Sequence, residues 1–129
     1  MNKELGIPAK VWNGIQFGSY EEIAQEVPSN KPEHRRWIAL YAIYKLDEDV
    51  IKNIDTYDFI KKSSGYKYCV IDFEIPINTL EISDGINLRD ASSFRYTPIY
   101  NESELVSFFE KEGVNPALFV PSWRCEYPF

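Results

Sequence analysis

The sequence predicts an α+β fold: one domain over residues 1–129, a mostly antiparallel sheet, an N-terminal hairpin and three to four helices. Three observations carry that expectation. "YKYCVIDFEI", Tyr66 to Ile75, is dense in β-branched and aromatic residues and ends at Pro76, which predicts a strand. "NESELVSFFEKEG" has a capping Asn101, an apolar stripe of Leu105, Phe108 and Phe109, and a stop at Gly113, which predicts a helix. Strand and helix signals are mixed without the regular alternation of a parallel α/β sheet.

In chain order, Val11-Trp12 and Ile15-Gln16-Phe17 flank Asn13-Gly14. Both turn residues tolerate positive φ, so the stretch predicts a tight hairpin. Ser19 and Glu22 form a capping box before a short helix from Tyr20 to Val27, stopped by Pro28, Ser29, Asn30 and Pro32. Residues 33–46 fit two elements. As a helix, Trp37, Leu40, Tyr41 and Tyr44 share one stripe; as a strand, Trp37 to Tyr44 would be buried on both faces. Pro32 in a first turn, with Ala39 and Ala42 inside, favours the helix.

Asp47-Glu48-Asp49 breaks that helix and starts another. Asp55 caps a turn through Ile60, and Gly65 closes the segment. In the Tyr66–Ile75 strand, Tyr68, Val70, Asp72 and Glu74 share one face; Cys69, Ile71, Phe73 and Ile75 share the other, the core side. That alternation makes Asp72 and Glu74 a solvated strand face. Asn78–Ile82 predicts a short strand and Asn87–Ser93 a loop. Phe94–Tyr100 predicts an edge strand, because Pro98 has no N–H to donate.

The net charge is −6, and no Lys or Arg run exceeds a pair. A phosphate backbone is gripped chiefly by cations, so direct nucleic-acid binding is not expected. The acidity serves solubility or presents an acidic face to a basic partner. No apolar run approaches a membrane span, and Met1–Gly6 carries no secretory apolar segment, so the expected compartment is the cytoplasm. Two cysteines are too few for a disulfide scaffold; Cys69 and Cys125 are expected as buried free thiols, a bridge requiring neighbouring strands.

With one histidine and two distant cysteines, no metal-site spacing is present; phosphate-loop, dinucleotide and nucleophile-elbow signatures are absent too. No cofactor is expected. His34, in "PEHRRW", is the one candidate general base; its alternative is a surface histidine in a first helical turn.

Aromatic residues are the compositional excess, at 16%. Most belong in a core, but Tyr and Trp beside Arg also anchor interfaces and stack on bases. Two stretches have that mix. They make Arg95, Tyr96, Trp123, Arg124 and Tyr127 the candidate binding residues, with the aromatic ending packed on the body, on a partner, or on both.

The expected function is a small acidic non-enzymatic interaction protein, of inhibitor, immunity or anti-defence type, with a protein partner. The alternative is a module holding a phosphate-bearing, nucleotide-like ligand, marked by a pocket where two or more of Arg35, Arg36, Arg89, Arg95 and Arg124 converge. A small enzyme on such a substrate is the further alternative. No motif ties the chain to a known family.

Overall fold

Five strands form one antiparallel sheet: β1 (Glu22–Val27), β2 (His34–Ala42), β3 (Tyr68–Pro76), β4 (Ser93–Ile99) and β5 (Val120–Pro121). Their spatial order is β4-β3-β2-β1-β5. The computed structural model describes residues 5–17, 21–54, 56–82 and 87–129. Among these lie five α-helices: α1 (Ala9–Gln16), α2 (Glu48–Lys52), α3 (Asp58–Lys62), α4 (Ile77–Ile82) and α5 (Glu102–Glu112). The α+β class is as expected, and no helix of the described residues is long and apolar enough to cross a membrane.

Four local expectations are corrected. The expected N-terminal hairpin is α1. Trp12 and Ile15, three apart, are both buried on its inner side, with Leu5 and Ile7 beside them. Each such side chain contributes roughly 1.5–3 kcal/mol. That outweighs the helical cost of Gly14, about 1 kcal/mol. The expected helix after it is β1, in which Ile23, Ala24 and Gln25 are buried in succession, as in a strand covered on both faces. Ser19 of its expected capping box and Tyr20, the expected start of the helix, lie outside the described residues.

The preferred helix over residues 33–46 is β2. It is flanked by β1 and β3, and its residues 37–42 are buried on both faces. Tertiary pairing overrides the helical preference of Ala39 and Ala42. The short strand expected at Asn78–Ile82 is helix α4.

Other elements match. Glu48 begins α2 next to Asp47, and the expected cap Asp55 lies outside the described residues. Asn101 Oδ1 accepts from the Glu104 N–H at 2.9 Å, Gly113 closes α5 at φ 69°, and Leu105 and Phe109 are buried. β4 is an edge strand containing Pro98, and the opposite edge, β5, is two residues long.

Each sheet face carries a core. On one, α1, α5 and Phe119 cover Ile23, Ile38, Leu40, Tyr68 and Val70. On the other, Phe59 and Ile60 of α3, together with Tyr127 and Phe129, pack on Trp37, Tyr41, Cys69, Ile71 and Phe73. Gly6 serves the first face: at φ +78°, a Cβ there would lie 2.8 Å from Pro116 Cγ. Only glycine lets the chain pass so close beneath the 115–118 turn.

Candidate functional site

The helical face of the sheet is apolar only over the half that α1 and α5 cover. Beyond Ile38 on β2 and Val70 on β3, the same side-chain rows continue as Arg36, Asp72 and Glu74, with Ser93 and Arg95 alongside on β4. Arg95 is directly opposite Asp72, while Arg36 reaches Asp72 diagonally from opposite Glu74.

Arg36 grips Asp72 with two parallel bonds, Nε to Oδ1 at 2.9 Å and Nη2 to Oδ2 at 2.7 Å. Arg95 Nη2 donates to the same Oδ2 at 2.7 Å and lies 3.7 Å from Glu112 at the end of α5. Glu74 accepts from Ser29 Oγ, from Ser93 Oγ at 3.0 Å, and faces Lys31 Nζ at 3.5 Å. The Ser29 hydroxyl also receives the Lys31 N–H at 3.1 Å, which folds the 29–32 loop over the strand end.

Asp72 and Glu74 are therefore not the solvated face expected of them. Their side chains keep only 15% and 12% of their exposure, because cations and hydroxyls cover them. Burial acts to raise the Asp72 carboxyl, but the bonds from Arg36 and Arg95 overcome it and hold its pKa below the ordinary value. The Ser29 hydroxyl leads in lowering Glu74, against its burial, with Ser93 and Lys31 adding to it. These charges surround a pocket of about 270 Å3 lined by Lys31, Arg36, Asp72, Glu74, Ser93 and Arg95, together with Asn30. Three cations face two carboxylates in the lining, and Glu112 stands 3.7 Å from Arg95 at its edge, so the cluster is close to charge balance within an acidic chain.

The five expected binding residues do not share one surface. Arg95 lines this pocket, while Tyr96, next in β4, points to the opposite face, where it neighbours Phe94 at 6.5 Å. Trp123 and Arg124 are exposed and follow β5, at the other edge of the sheet. Tyr127 turns inward, its hydroxyl 2.5 Å from that of Tyr41 and its ring 5.8 Å from Phe73. Trp37 Nε1 donates to the Cys125 carbonyl at 2.8 Å, so the aromatic ending is largely part of the second core.

His34 opens β2 with Nδ1 2.7 Å from the Pro32 carbonyl. A carbonyl can only accept, so Nδ1 carries the proton. The ring lines a separate pocket of about 420 Å3 with Glu33, Asn78 and Glu81, away from both cysteines. Cys69 and Cys125 are free; Cys69 is buried and Cys125 half-buried. Burial pushes the Cys69 thiol up to about 11 and raises that of Cys125 as well, which disfavours the thiolate. Among the described residues no group of three or more His, Cys, Asp or Glu is arranged to hold a metal ion.

Lys31, Ser29 and Ser93 carry no sequence signal of their own. The arginines and the Asp72/Glu74 pair were visible, but their meeting depends on residues 34–42 being a strand. Comparison with known proteins gave no match among family models, curated proteins or solved structures.

Proposed function

We propose that this protein is a non-catalytic binding module that captures an oxyanion-bearing small molecule, a phosphate ester or a carboxylate, at the pocket between β2, β3 and β4. The observation that carries this reading is the convergence of Arg36 and Arg95 on Asp72, with Lys31 beside them over Glu74. Asp72 holds Arg36 and Arg95 in place, so less of their side-chain freedom is lost on binding. Arg36 commits its fork to Asp72 and acts as the anchor. Arg95, 66% exposed, and Lys31, 47% exposed, are the more accessible cations of the pocket. Lys31 is loosely held at 3.5 Å and is the cation most easily drawn to a ligand.

The test is an NMR titration with inorganic phosphate and a nucleoside monophosphate, against sodium chloride at matched ionic strength. The expected result is saturable shifts at Lys31, Ser93 and Arg95, lost in Lys31→Ala/Arg95→Ala. Shifts no larger than those with chloride, or unchanged in that variant, overturn it.

A second reading, an interaction protein with a protein partner, is favoured by a different observation. Leu118 and Trp123 are 56% and 66% exposed on either side of β5, with exposed Arg124 adjacent. A large aromatic beside an arginine is the composition of an interface anchor. A partner that co-purifies with the wild type and is lost from Trp123→Ala/Arg124→Ala supports this reading; retention by that variant removes it.

A further inference from the structure

The face opposite α1 and α5 holds a second pocket, of about 270 Å3, bounded by the end of β2, α2 and α3. Its walls are Tyr41, Tyr57, Leu46, Val50 and Ile60, and Glu21 stands in its lining. Glu22 lies alongside: it is directly opposite Tyr41 across the β1–β2 ladder, so both side chains point to this face. Among the described residues Glu22 accepts from a hydroxyl, Ser122 Oγ at 2.8 Å, and not from a cation. Among the described residues no lysine or arginine lines the pocket.

The tyrosine rings are held in place. Tyr41 meets Phe59 edge-on at 5.1 Å and ties its hydroxyl to Tyr127, while Tyr57 stacks on Phe59 at 5.4 Å. Fixed aromatic rings, aliphatic walls and the nearby Glu21 and Glu22, for which no cation partner occurs among the described residues, together favour one ligand chemistry. An aromatic face attracts a cation through its quadrupole, and the attraction grows as water is excluded. Methyl groups on that cation would meet Leu46, Val50 and Ile60. The volume is slightly below the roughly 300 Å3 at which ordinary ligand pockets begin, which selects a small head group.

We propose that this pocket binds a small organic ammonium, a methylated or quaternary amine, with the cation against Tyr41 and Tyr57 and its charge balanced by Glu21 and Glu22. The carboxylates act from the start of β1 and the rings from β2 and the residue before α3, so charge and shape are read by different segments. Burial raises the pKa of Glu22, with Glu21 adding a smaller push, as befits a carboxylate without a cation partner among the described residues. A bound ammonium would supply it. The site is on the opposite sheet face from the Arg36–Arg95 pocket, and neither requires the other.

The test uses choline and its uncharged isostere 3,3-dimethylbutan-1-ol as probes, read by amide shifts in the full-length protein. Choline is expected to shift Ala42, Thr56 and Tyr57 saturably, with the isostere at least about 10-fold weaker. Tyr57→Leu and Glu21→Gln/Glu22→Gln should each weaken choline binding about 5-fold or more, whereas Tyr57→Phe, which keeps the ring, should retain it. Absence of choline shifts at these residues in the folded protein overturns the proposal. So does equal binding of the isostere, or Tyr57→Phe losing as much affinity as Tyr57→Leu.

Discussion

The Tyr41 and Tyr127 hydroxyls share a hydrogen bond of 2.5 Å that joins the central strand to the C-terminal segment. Both phenols are withdrawn from water, and burial is the main force raising their pKa values. Removing one hydroxyl leaves the other buried without its partner. Tyr41→Phe and Tyr127→Phe should therefore each lower stability by about 1–2 kcal/mol, and the double variant should cost less than their sum. Urea denaturation of the four proteins measures this; strict additivity would mean that the two hydroxyls are not coupled.

Arg36 and Arg95 hold the same carboxylate but should differ in their weight. Arg36 supplies the two-bond grip, and its side chain is 27% exposed, whereas Arg95 supplies one bond from a side chain 66% exposed. Arg36→Ala should cost about 2–3 kcal/mol, because the shielded Asp72 loses charge-assisted bonds. Arg95→Ala should cost less than about 1 kcal/mol, as for an exposed ion pair. Midpoints of denaturant unfolding decide it, and equal losses would contradict the assigned anchor role. The same pair separates folding from binding: Arg95→Ala should impair anion capture while leaving the protein folded.

Carboxylates on the two sheet faces should respond to pH in opposite directions. Asp72 and Glu74 titrate lower in the folded protein than in the unfolded chain. Their stabilisation is complete above the ordinary carboxylate value, about 4, and is lost as pH falls through their depressed folded values. Glu22 titrates higher when folded, chiefly through burial, so its contribution is greatest when protonated and declines as pH rises from about 4 through its raised folded value. Glu22→Gln should thus raise the melting temperature near neutral pH relative to wild type, with the gain vanishing in acid. Asp72→Asn should lower it near neutral pH and flatten the acid limb. Thermal unfolding of the three proteins from pH 3 to pH 8 tests both signs, and a Glu22→Gln gain that persists unchanged in acid would refute the assignment.

Local signals carried the elements whose physics is local. α5 has its cap, stripe and stop within thirteen residues, and β3 announces itself through composition and a closing Pro76. β1 and β2 were misread because strands covered on both faces lose the period-two alternation that marks a half-exposed strand. Ala39 and Ala42 then tilted residues 34–42 toward helix, although their neighbours in space are Ile71 and Tyr68 of β3. α1 was misread because Asn13-Gly14 is a turn signal in isolation, and the burial of Trp12 and Ile15 outweighs it. The misreading of β2 also hid the site. Arg36, Asp72 and Arg95 are all legible in the sequence, but only adjacent strands bring them within bonding distance. At the C-terminus, the aromatic excess was legible as something that must be covered. Which part is covered, Tyr127, and which stays exposed, Trp123, depends on the β1–β5 pairing that turns the chain back over Trp37.

The two ends of the strand order have a consequence for how this protein behaves in a crowded solution. A sheet rich in Ile, Val, Tyr and Phe invites neighbouring molecules to extend it, because an open strand offers a ready row of N–H and C=O groups. Here the β4 side is interrupted by Pro98 and carries the Arg95 charge, while the β5 side is only two residues long before the chain turns away. Among the described residues, strand addition therefore meets Pro98 on one edge and a two-residue strand on the other, which limits the template offered to fibre growth.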